Sequence, residues 1–461
     1  MSKRLIRLMS LVAVLALVLA ACGGDDGAGD TTADTTGDTT ADTTADTTGD
    51  TTGDTTGDTT GDTSAPAEDP LGTVTIGDGE EIQIRSIEAI SGDTATLGIP
   101  NERATQMAIE DYGEIKGHTV SMGTGLDGLC SAEGGQSAAQ SVVSDEQVLG
   151  VIGTSCSGAG VAASPLISDA GMVMISPSNT SPSLTSDLQG NAGSDYYEGY
   201  YRTAHNDLFQ GQAVAEYVFN ELGLTTAAAI HDGDPYTQGL AQAFADAFTE
   251  LGGEVTGVTA VNKGDTDMTP VLSEVAADSP EALYFPIFPP EGNFIAQQIG
   301  GVEGLEETTL LAADGMFVAN FLEIPESEGV HFSGPSLDFE GNSNDITGVA
   351  ASDFLSAYEE AHGEAPTAAF WAHAYDAATM LLQAIDDVAV EGDDGSLTVG
   401  RQALRDRLNE SQFSGIIGDV NCDQFGDCGA QEIQIYLHED SSVTDSSQIP
   451  VVFSFKGEIE E

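Results

Sequence analysis

Small, hydroxyl-bearing residues follow two apolar runs near the middle of the chain. The runs Val148–Ile152 and Met172–Ile175 lead into the segments Thr154–Gly158 and Ser176–Thr180. Apolar runs of four or five residues are typical of buried parallel strands, whose carboxyl ends meet at one edge of a sheet. Helix N-termini at that edge offer free N–H groups and a partial positive charge. The two segments are therefore expected to lie side by side and to bind an anionic group, most simply a carboxylate.

Enzymatic interpretations of the same residues find little support. A nucleophile elbow requires G-x-S-x-G, but Ser155 stands where the glycine before Ser157 is needed. Cys156 could act as a nucleophile with His205 or His231, but a disulfide would remove its thiolate. No glycine-rich phosphate motif occurs in the sequence. The sequence therefore predicts a binding protein without a cofactor rather than an enzyme.

The N-terminus has the pattern of a bacterial lipoprotein signal. Three basic residues precede the apolar run Leu11–Ala20, and the sequence Leu-Ala-Ala-Cys ends at Cys22. Small residues after such a run form a signal-peptidase site, and in this pattern the Cys22 thiol is acylated and becomes the new N-terminus. The alternative is an ordinary signal peptide or a membrane span with an incidental cysteine, although the run is short for a span. Residues 1–22 are thus expected to place the chain outside the cytoplasm, with membrane contact through the lipid only.

The segment 23–72 is predicted to be a disordered, acidic tether. From Thr31 to Asp62 it consists of eight consecutive copies of TTAD or TTGD. These repeats contain no large apolar residue whose burial would offset the entropy lost on ordering. The tether is expected to hold the folded part away from the membrane.

The chain is strongly acidic, with 76 Asp and Glu, 12 Lys and Arg, and a formal net charge of −64. So few cations leave most carboxylates without partners, which argues against binding nucleic acid or an anionic surface. The acidity fits either a salty habitat, where counterions screen the repulsion, or a need for solubility alone. A thermal unfolding midpoint that does not respond to salt would exclude the first explanation.

Four cysteines follow Cys22, and an even number in an exported chain favours disulfides. Cys422 and Cys428 bracket a polar loop and are predicted to pair, which leaves Cys130 to pair with Cys156. A metal site is the weaker interpretation, because neither pair has C-x-x-C spacing and no histidine accompanies them.

Strand-like and helix-like segments alternate twice along the chain, from Ile82 to Ile175 and again from Gln210 to Ala312. Each alternation is typical of a parallel α/β unit. Three helical segments and two late strands are predicted to follow, at Asp345–His362, Ala368–Val388, Val399–Leu408, Gln431–Leu437 and Val451–Phe455. The predicted fold class is therefore α/β, with two doubly wound lobes and a ligand cleft between them.

Seven segments in order carry a family resemblance: VIGTSCSGAGVAASPLISDAGMVMISPSNTSPSLT, YYRTAHNDLFQGQAVAEYV, AAIHDGDPYTQGLAQAF, GDTDMTP, LAADG, FWAHAYDAATMLLQAI and FSGIIGDVNCDQFGDC. They resemble the leucine/isoleucine/valine-binding family of type I periplasmic binding proteins, the extracellular receptors of branched-chain amino acid ABC transporters. The resemblance covers about residues 80 to 460. It implies three crossovers between the lobes, near Tyr201–Ala204, Ser336–Glu340 and Phe413–Val420. The first lobe would comprise 73–203 and 337–415, and the second would comprise 204–336 and 416–461.

The resemblance assigns binding roles to three residues of the first lobe. Ser157 would hold the ligand carboxylate, Ser178 would offer a backbone carbonyl to the ammonium, and Thr180 would offer a hydroxyl and an N–H to the carboxylate. The alternatives are structural: Ser157 could simply cap its helix, and Ser178 and Thr180 could be ordinary turn residues.

In the second lobe the resemblance implies that Tyr236 lines the closed cleft and that Asp314 faces the α-ammonium. Tyr236 could instead pack on its own helix, and Asp314 could be a helix cap. A buried ammonium without a carboxylate would cost several kcal/mol, so Asp314 favours an amino acid or a similar zwitterion as ligand. At Leu97 and Phe288 the family member compared has tyrosine, so the side-chain pocket here is expected to be more apolar or differently shaped.

These residues predict a lipid-anchored solute-binding protein that closes on a small amino acid of branched-chain type or a related carboxylate. It would deliver this ligand to the permease of an ABC transporter. The alternative is a sensory receptor of the same fold that binds an amide, urea or an aromatic acid. Neighbouring permease and ATPase genes, as opposed to a kinase or regulator gene, would separate the two.

Overall fold

The computed structural model describes residues 69–457. The signal peptide predicted at 1–22 lies outside the described residues, as does the tether predicted at 23–72 except for its last four positions. Within the described range, no helix combines the length and the apolar character that a membrane span requires.

Eighteen strands and eleven α-helices make up the described fold. The strands are β1 Thr73–Ile76, β2 Ile82–Glu88, β3 Val120–Ser121, β4 Leu126–Asp127, β5 Val148–Gly153, β6 Val173–Ser176, β7 Tyr200–Arg202, β8 Thr226–His231, β9 Glu254–Ala260, β10 Ala282–Tyr284, β11 Thr309–Ala313, β12 His331–Pro335, β13 Val390–Glu391, β14 Leu397–Gly400, β15 Gln412–Gly415, β16 Gly418–Asn421, β17 Glu432–Leu437 and β18 Val451–Lys456. The helices are α1 Ala95–Tyr112, α2 Ala132–Val143, α3 Ser157–Asp169, α4 Asp207–Glu216, α5 Pro235–Glu250, α6 Thr269–Ala276, α7 Glu291–Ile299, α8 Ala319–Leu322, α9 Ala351–His362, α10 Trp371–Val388 and α11 Arg401–Asn409.

The first lobe is built on a six-stranded parallel sheet in the order β3-β2-β5-β6-β7, with β4 also paired to β2. Every residue of β5 and β6 is buried, as their uninterrupted apolar sequences predict. Helices that cover both faces of a parallel sheet bury its strands in this way. Strand β5 leads into α3, so the N-terminus of α3 lies at the carboxyl edge of the sheet.

The second lobe is built on a seven-stranded sheet in the order β18-β17-β12-β11-β10-β8-β9. Its strands β8 to β12 pair in parallel, whereas β17 and β18 add antiparallel strands at one side. The prediction of two α/β lobes is confirmed, and the two predicted late strands are present as β17 and β18.

A small antiparallel sheet fastens the start of the described chain to the first lobe. Strand β1 pairs with β14, and Thr73 lies opposite Gly400. Just before it, the carboxylate of Asp69 accepts hydrogen bonds from the N–H groups of Gln402, at 3.0 Å, and Ala403, at 3.2 Å. These are free donors in the first turn of α11, and a carboxylate there also interacts favourably with the helix dipole.

The hairpin formed by β15 and β16 packs on the first lobe. Ile416, Ile417 and Val420 belong to the buried core that surrounds α10, and the buried carboxylate of Asp376 on α10 accepts hydrogen bonds from the N–H groups of Ile416, at 3.0 Å, and Ile417, at 2.9 Å. The lobe boundary predicted between residues 415 and 416 falls inside this hairpin. We therefore propose that the third crossover follows Cys428.

The lobes touch each other on both sides of the cleft. On one side Ala319 N donates to Thr367 O at 3.1 Å, and Asn320 Nδ2 donates to Asp93 O at 3.2 Å. On the other side the carboxylate of Asp234, at the start of α5, lies directly against Gly158 in the first turn of α3. The chain is therefore in a closed conformation.

Candidate functional site

A narrow cavity lies between the lobes. Residues of both lobes line it: Leu97, Ser155, Cys156, Ser157, Ser178 and Phe370 from the first, and Tyr236, Phe288, Asp314 and Gly315 from the second. Six of the seven predicted ligand-binding residues thus lie around one cavity. A few polar groups at defined places in an otherwise apolar enclosure are typical of small-molecule sites.

The polar wall of the first lobe is the N-terminus of α3. Cys156 is the N-cap residue in extended conformation, and Ser157 is the first helical residue, with its hydroxyl accepting from Ser181 N at 3.3 Å. The first N–H groups of any α-helix have no partner within the helix. This end of the cavity therefore favours an anionic group.

Both predicted disulfides are present, and one of them holds this polar wall. Cys130 is bonded to Cys156, which joins the loop before α2 to the N-cap of α3, and Cys422 is bonded to Cys428. Cys156 has no thiolate, so the nucleophilic alternative considered for it is wrong.

The polar wall of the second lobe is centred on Asp314. Its Oδ1 accepts hydrogen bonds from Gln210 Nε2, at 2.7 Å, and from the hydroxyl of Tyr236, at 3.2 Å. Behind it, the amide oxygen of Gln210 contacts His205 Nε2 at 2.6 Å. Burial raises the pKa of Asp314 to about 6, although the hydrogen bonds from Gln210 and Tyr236 oppose this shift. Asp314 therefore carries a negative charge at neutral pH and faces the cavity with no cation beside it among the described side chains.

Thr180 is the predicted residue that does not reach the cavity. Ser176 Oγ accepts from the N–H of Asn179 at 2.8 Å, and this turn directs Thr180 towards α4, where its carbonyl accepts from Asp207 N at 3.0 Å. Burial, and next the charge of Asp314, raises the pKa of Asp207 well above its ordinary value. Of these two neighbouring carboxyl groups, Asp314 is therefore the ionised one.

The remaining walls are apolar. Phe288 packs against Tyr236 with ring centroids 5.1 Å apart, and Leu97 and Phe370 close the cavity from the first lobe. Phe370 also lies against the buried rings of His205, at 6.1 Å, and His373, at 5.1 Å. Burial lowers the pKa of His205 to about 4 and of His373 to about 3, so both rings are neutral. These walls therefore suit a ligand whose side chain is uncharged and apolar.

Sequence reasoning missed Gln210, Phe370 and a role for Ser155 in the cavity wall. Phe370 is adjacent to Trp371, the single tryptophan of the sequence, which stacks on Phe354 within the first lobe with ring centroids 4.7 Å apart. Gln210 and Phe370 both lie within segments that carried the family resemblance. No spacing pattern in the sequence, however, identifies a residue such as Gln210, which supports a cavity residue by hydrogen bonding to it.

The two lobes enclose a cavity that has an anion-binding helix N-terminus at one end and a carboxylate at the other end. This arrangement is that of a solute-binding protein. A family model described as "Periplasmic binding protein" matches residues 81–431, and the chain belongs to this family. The chain is 26% identical over 371 residues to the Leu/Ile/Val-binding protein homolog 3 of Brucella melitensis, which covers 79% of this chain and 93% of that protein. The leucine/isoleucine/valine-binding resemblance is thereby confirmed.

Solved structures agree with this assignment. The leucine binding protein LivK of Thermotoga maritima superposes with a TM-score of 0.68 at 26% identity, covering 81% of this chain and 99% of that chain. LivJ of Streptococcus pneumoniae, solved with isoleucine, has a TM-score of 0.65 at 21% identity, covers 82% of this chain and 100% of that chain, and shares the fold.

Proposed function

We propose that the chain captures a small amino acid of branched-chain type, or a related carboxylate, between its lobes and delivers it to the permease of an ABC transporter. The arrangement of charge around the cavity supports this proposal most directly. The N-terminus of α3 with Ser157 suits the ligand carboxylate, and ionised Asp314 with Tyr236 suits the ammonium. The apolar surfaces of Leu97, Phe288 and Phe370 would then surround an aliphatic side chain.

A ligand screen by thermal shift and calorimetry tests the proposal. The panel contains leucine, isoleucine, valine, 4-methylpentanoate as leucine without its amine, benzoate and urea. A ligand at about 100 times its dissociation constant adds about 2.7 kcal/mol to the free energy of unfolding. We expect the branched-chain amino acids to give the largest stabilisation. Stabilisation by benzoate or urea alone would contradict the proposal, and uptake of labelled ligand by cells lacking the chain would distinguish delivery from sensing.

Replacement of Gly158 by alanine tests whether binding requires closure of the lobes. A Cβ at this position would overlap the carboxylate of Asp234 across the cleft. Overpacking of this kind costs about 1–3 kcal/mol, so ligand affinity should fall about tenfold. Alanine is a better helix former than glycine, so the unliganded lobe should not be destabilised. Small-angle scattering with ligand should show the variant remaining more open than the wild type.

Gly239→Ala is the matched control, because Gly239 also faces the other lobe but a Cβ there would meet Pro182 and Ser181 only at 4.0 Å. It should bind ligand as the wild type does. Equal affinities for the Gly158 and Gly239 variants would contradict a closure requirement.

We further propose that the chain is attached to the membrane by a lipid on Cys22, as the Leu-Ala-Ala-Cys pattern supports. Replacement of Cys22 by serine is expected to move the protein from the membrane fraction to the soluble fraction on cell fractionation. A Cys22→Ser protein that remains with membranes as the wild type does would contradict lipid anchoring.

A further inference from the structure

A carboxyl group is buried directly behind the cavity wall. Glu88 is the last residue of β2, is 0% exposed, and has its Oε2 hydrogen-bonded to the hydroxyl of Ser155. Its Oε1 has no hydrogen-bond partner among the described residues. No ion pair between described residues includes Glu88. A buried carboxylate without a cation is unfavourable, and such a group stays protonated instead.

Glu88 is connected to the ligand cavity through Ser155, which lines it. The hydroxyl oxygen of Ser155 also accepts a hydrogen bond from the N–H of Ala89 at 2.8 Å. The backbone carbonyl of Ser155 accepts from the hydroxyl of Ser178, another cavity residue, at 3.0 Å. Asn101, whose amide lies beside the Glu88 carboxyl, donates to the Ser178 hydroxyl at 3.3 Å. A change in the protonation of Glu88 is therefore expected to affect the hydrogen bonding of two cavity residues, Ser155 and Ser178.

The protonation of Glu88 determines what Ser155 can offer a ligand. A serine hydroxyl has one hydrogen to donate and two lone pairs that accept, and Ala89 occupies one lone pair. If the Glu88 carboxyl is neutral, its O–H can donate to the second lone pair, and the hydrogen of Ser155 is free to point into the cavity. If Glu88 is ionised, the hydrogen of Ser155 is taken by the carboxylate. Only the neutral acid leaves Ser155 a donor for the cavity.

We propose that Glu88 is a positioning residue that, as a neutral acid, turns the hydroxyl of Ser155 into a hydrogen-bond donor for the ligand carboxylate. This inference rests on the proposed function, because it requires a ligand with an anionic end at α3. Ionisation of Glu88 would remove that donor and also place a negative charge behind the same wall. Affinity for a carboxylate ligand should therefore fall when Glu88 loses its proton.

The surroundings of Glu88 place this loss above neutral pH. Burial raises the pKa of Glu88 to about 8, against the lowering effect of the Ser155 hydroxyl and the nearby Asn101 amide, and the Glu102 carboxylate raises it further. Other charged groups on the neighbouring elements are Arg103, Glu110 and Asp111 on α1, Arg85 on β2, Asp127 on β4 and Glu133 on α2, while β5 and the first turn of α3 contribute none. Across the cavity the ionisable groups are Asp314, which is already charged at pH 7, and Tyr236, whose pKa burial raises well above its ordinary value.

The test compares the wild type with Glu88→Gln by calorimetry at pH 7 and pH 9, with leucine, isoleucine, valine and 4-methylpentanoate as probes. One pH unit above a pKa of about 8, the neutral form is about one part in eleven, so wild-type affinity should fall about tenfold. Glutamine keeps an N–H donor for Ser155 at all pH values. The variant should therefore bind at pH 7 and should lack this fall, apart from any change caused by the ligand amine, which both proteins share.

Glu102→Gln is the matched control, since it removes a neighbouring carboxyl group but leaves Glu88 in place, and it should keep the loss of affinity at pH 9. Proton release or uptake on binding, measured in buffers of different ionisation enthalpy, gives a readout on the wild type that needs no variant. The inference is overturned if the wild type and Glu88→Gln have the same pH dependence, or if the wild type takes up no proton on binding at pH 9. A wild type that binds none of these probes at pH 7 overturns the proposed function itself.

Discussion

Replacement of Asp314 by asparagine is expected to weaken binding of branched-chain amino acids by about 100-fold or more. Truncation of one partner in a buried, hydrogen-bonded charge pair costs about 2–5 kcal/mol. Asparagine keeps the size of Asp314 and an oxygen that can accept from Gln210 and Tyr236, which bond to Oδ1 at 2.7 and 3.2 Å. The loss would therefore report the missing charge rather than a collapsed cavity. Isothermal titration at pH 7 measures it.

The control probe for this variant is 4-methylpentanoate, which has no ammonium to pair. Its affinity should stay the same or increase in Asp314→Asn, because the repulsion between two carboxylates is removed. The control variant is Asp278→Asn, an exposed position of the second lobe, which should bind as the wild type does. If Asp314→Asn weakens both probes equally, Asp314 does not recognise an ammonium.

The pKa of Asp314, raised to about 6, gives the same hypothesis a pH dependence. The carboxyl group is ionised above this value and neutral below it, so affinity for an amino acid should fall as the pH decreases through about 6. This acid-side loss should be absent from Asp314→Asn, which has no group to protonate there.

Replacement of Asp427 by asparagine is expected to lower the free energy of unfolding of the first lobe by about 3 kcal/mol. Arg202, at the end of β7, is fully buried and pairs through its Nε with Asp427. Its other nitrogens donate to the carbonyl of Ser181 at 2.9 Å and the hydroxyl of Thr185 at 2.7 Å. Removal of one partner leaves an uncompensated buried charge, which typically costs about 3–5 kcal/mol.

Trp371 is the single tryptophan in the sequence and lies on α10 in the first lobe, so its fluorescence during urea unfolding reports this lobe. The transition of Asp427→Asn should move to lower urea with its slope unchanged. Asp419→Asn, at an exposed position of the β15–β16 hairpin, is the control and should unfold as the wild type does. Coincident transitions for the two variants would show that the Arg202 pair contributes little.

Local patterns were sufficient to predict the parts of the fold and site that depend on neighbouring residues. The buried runs of β5 and β6 were recognised because both faces of these strands are covered. The segments Thr154–Gly158 and Ser176–Thr180 could be placed side by side because each follows the end of a parallel strand, and the family resemblance then singled out Ser157 and Ser178 within them. The role of Asp314, directly after β11, was instead implied by the family resemblance.

Features that depend on contacts distant in sequence could not be predicted from such patterns. Thr73 pairs with Gly400, but the two short strands that contain them have no sequence pattern that indicates this pairing. Thr180 follows the same strand as Ser178, but a turn closed by Ser176 directs it away from the cavity. Glu88 appeared only as one acidic residue at the end of an apolar strand, and its importance depends on Ser155, which is folded against it.

The attachment of Asp69 to α11 determines how a mechanical load would pass through the molecule. A pull on the chain ahead of this residue is transmitted through its carboxylate and the pairing of β1 with β14, and both of these belong to the first lobe. The first lobe would then stay in place, and the second lobe would move when the cleft opens and closes. Opening and closing of the lobes would then not move the point where the chain ahead of Asp69 is attached. Tension in the chain ahead of Asp69 should therefore leave ligand affinity unchanged.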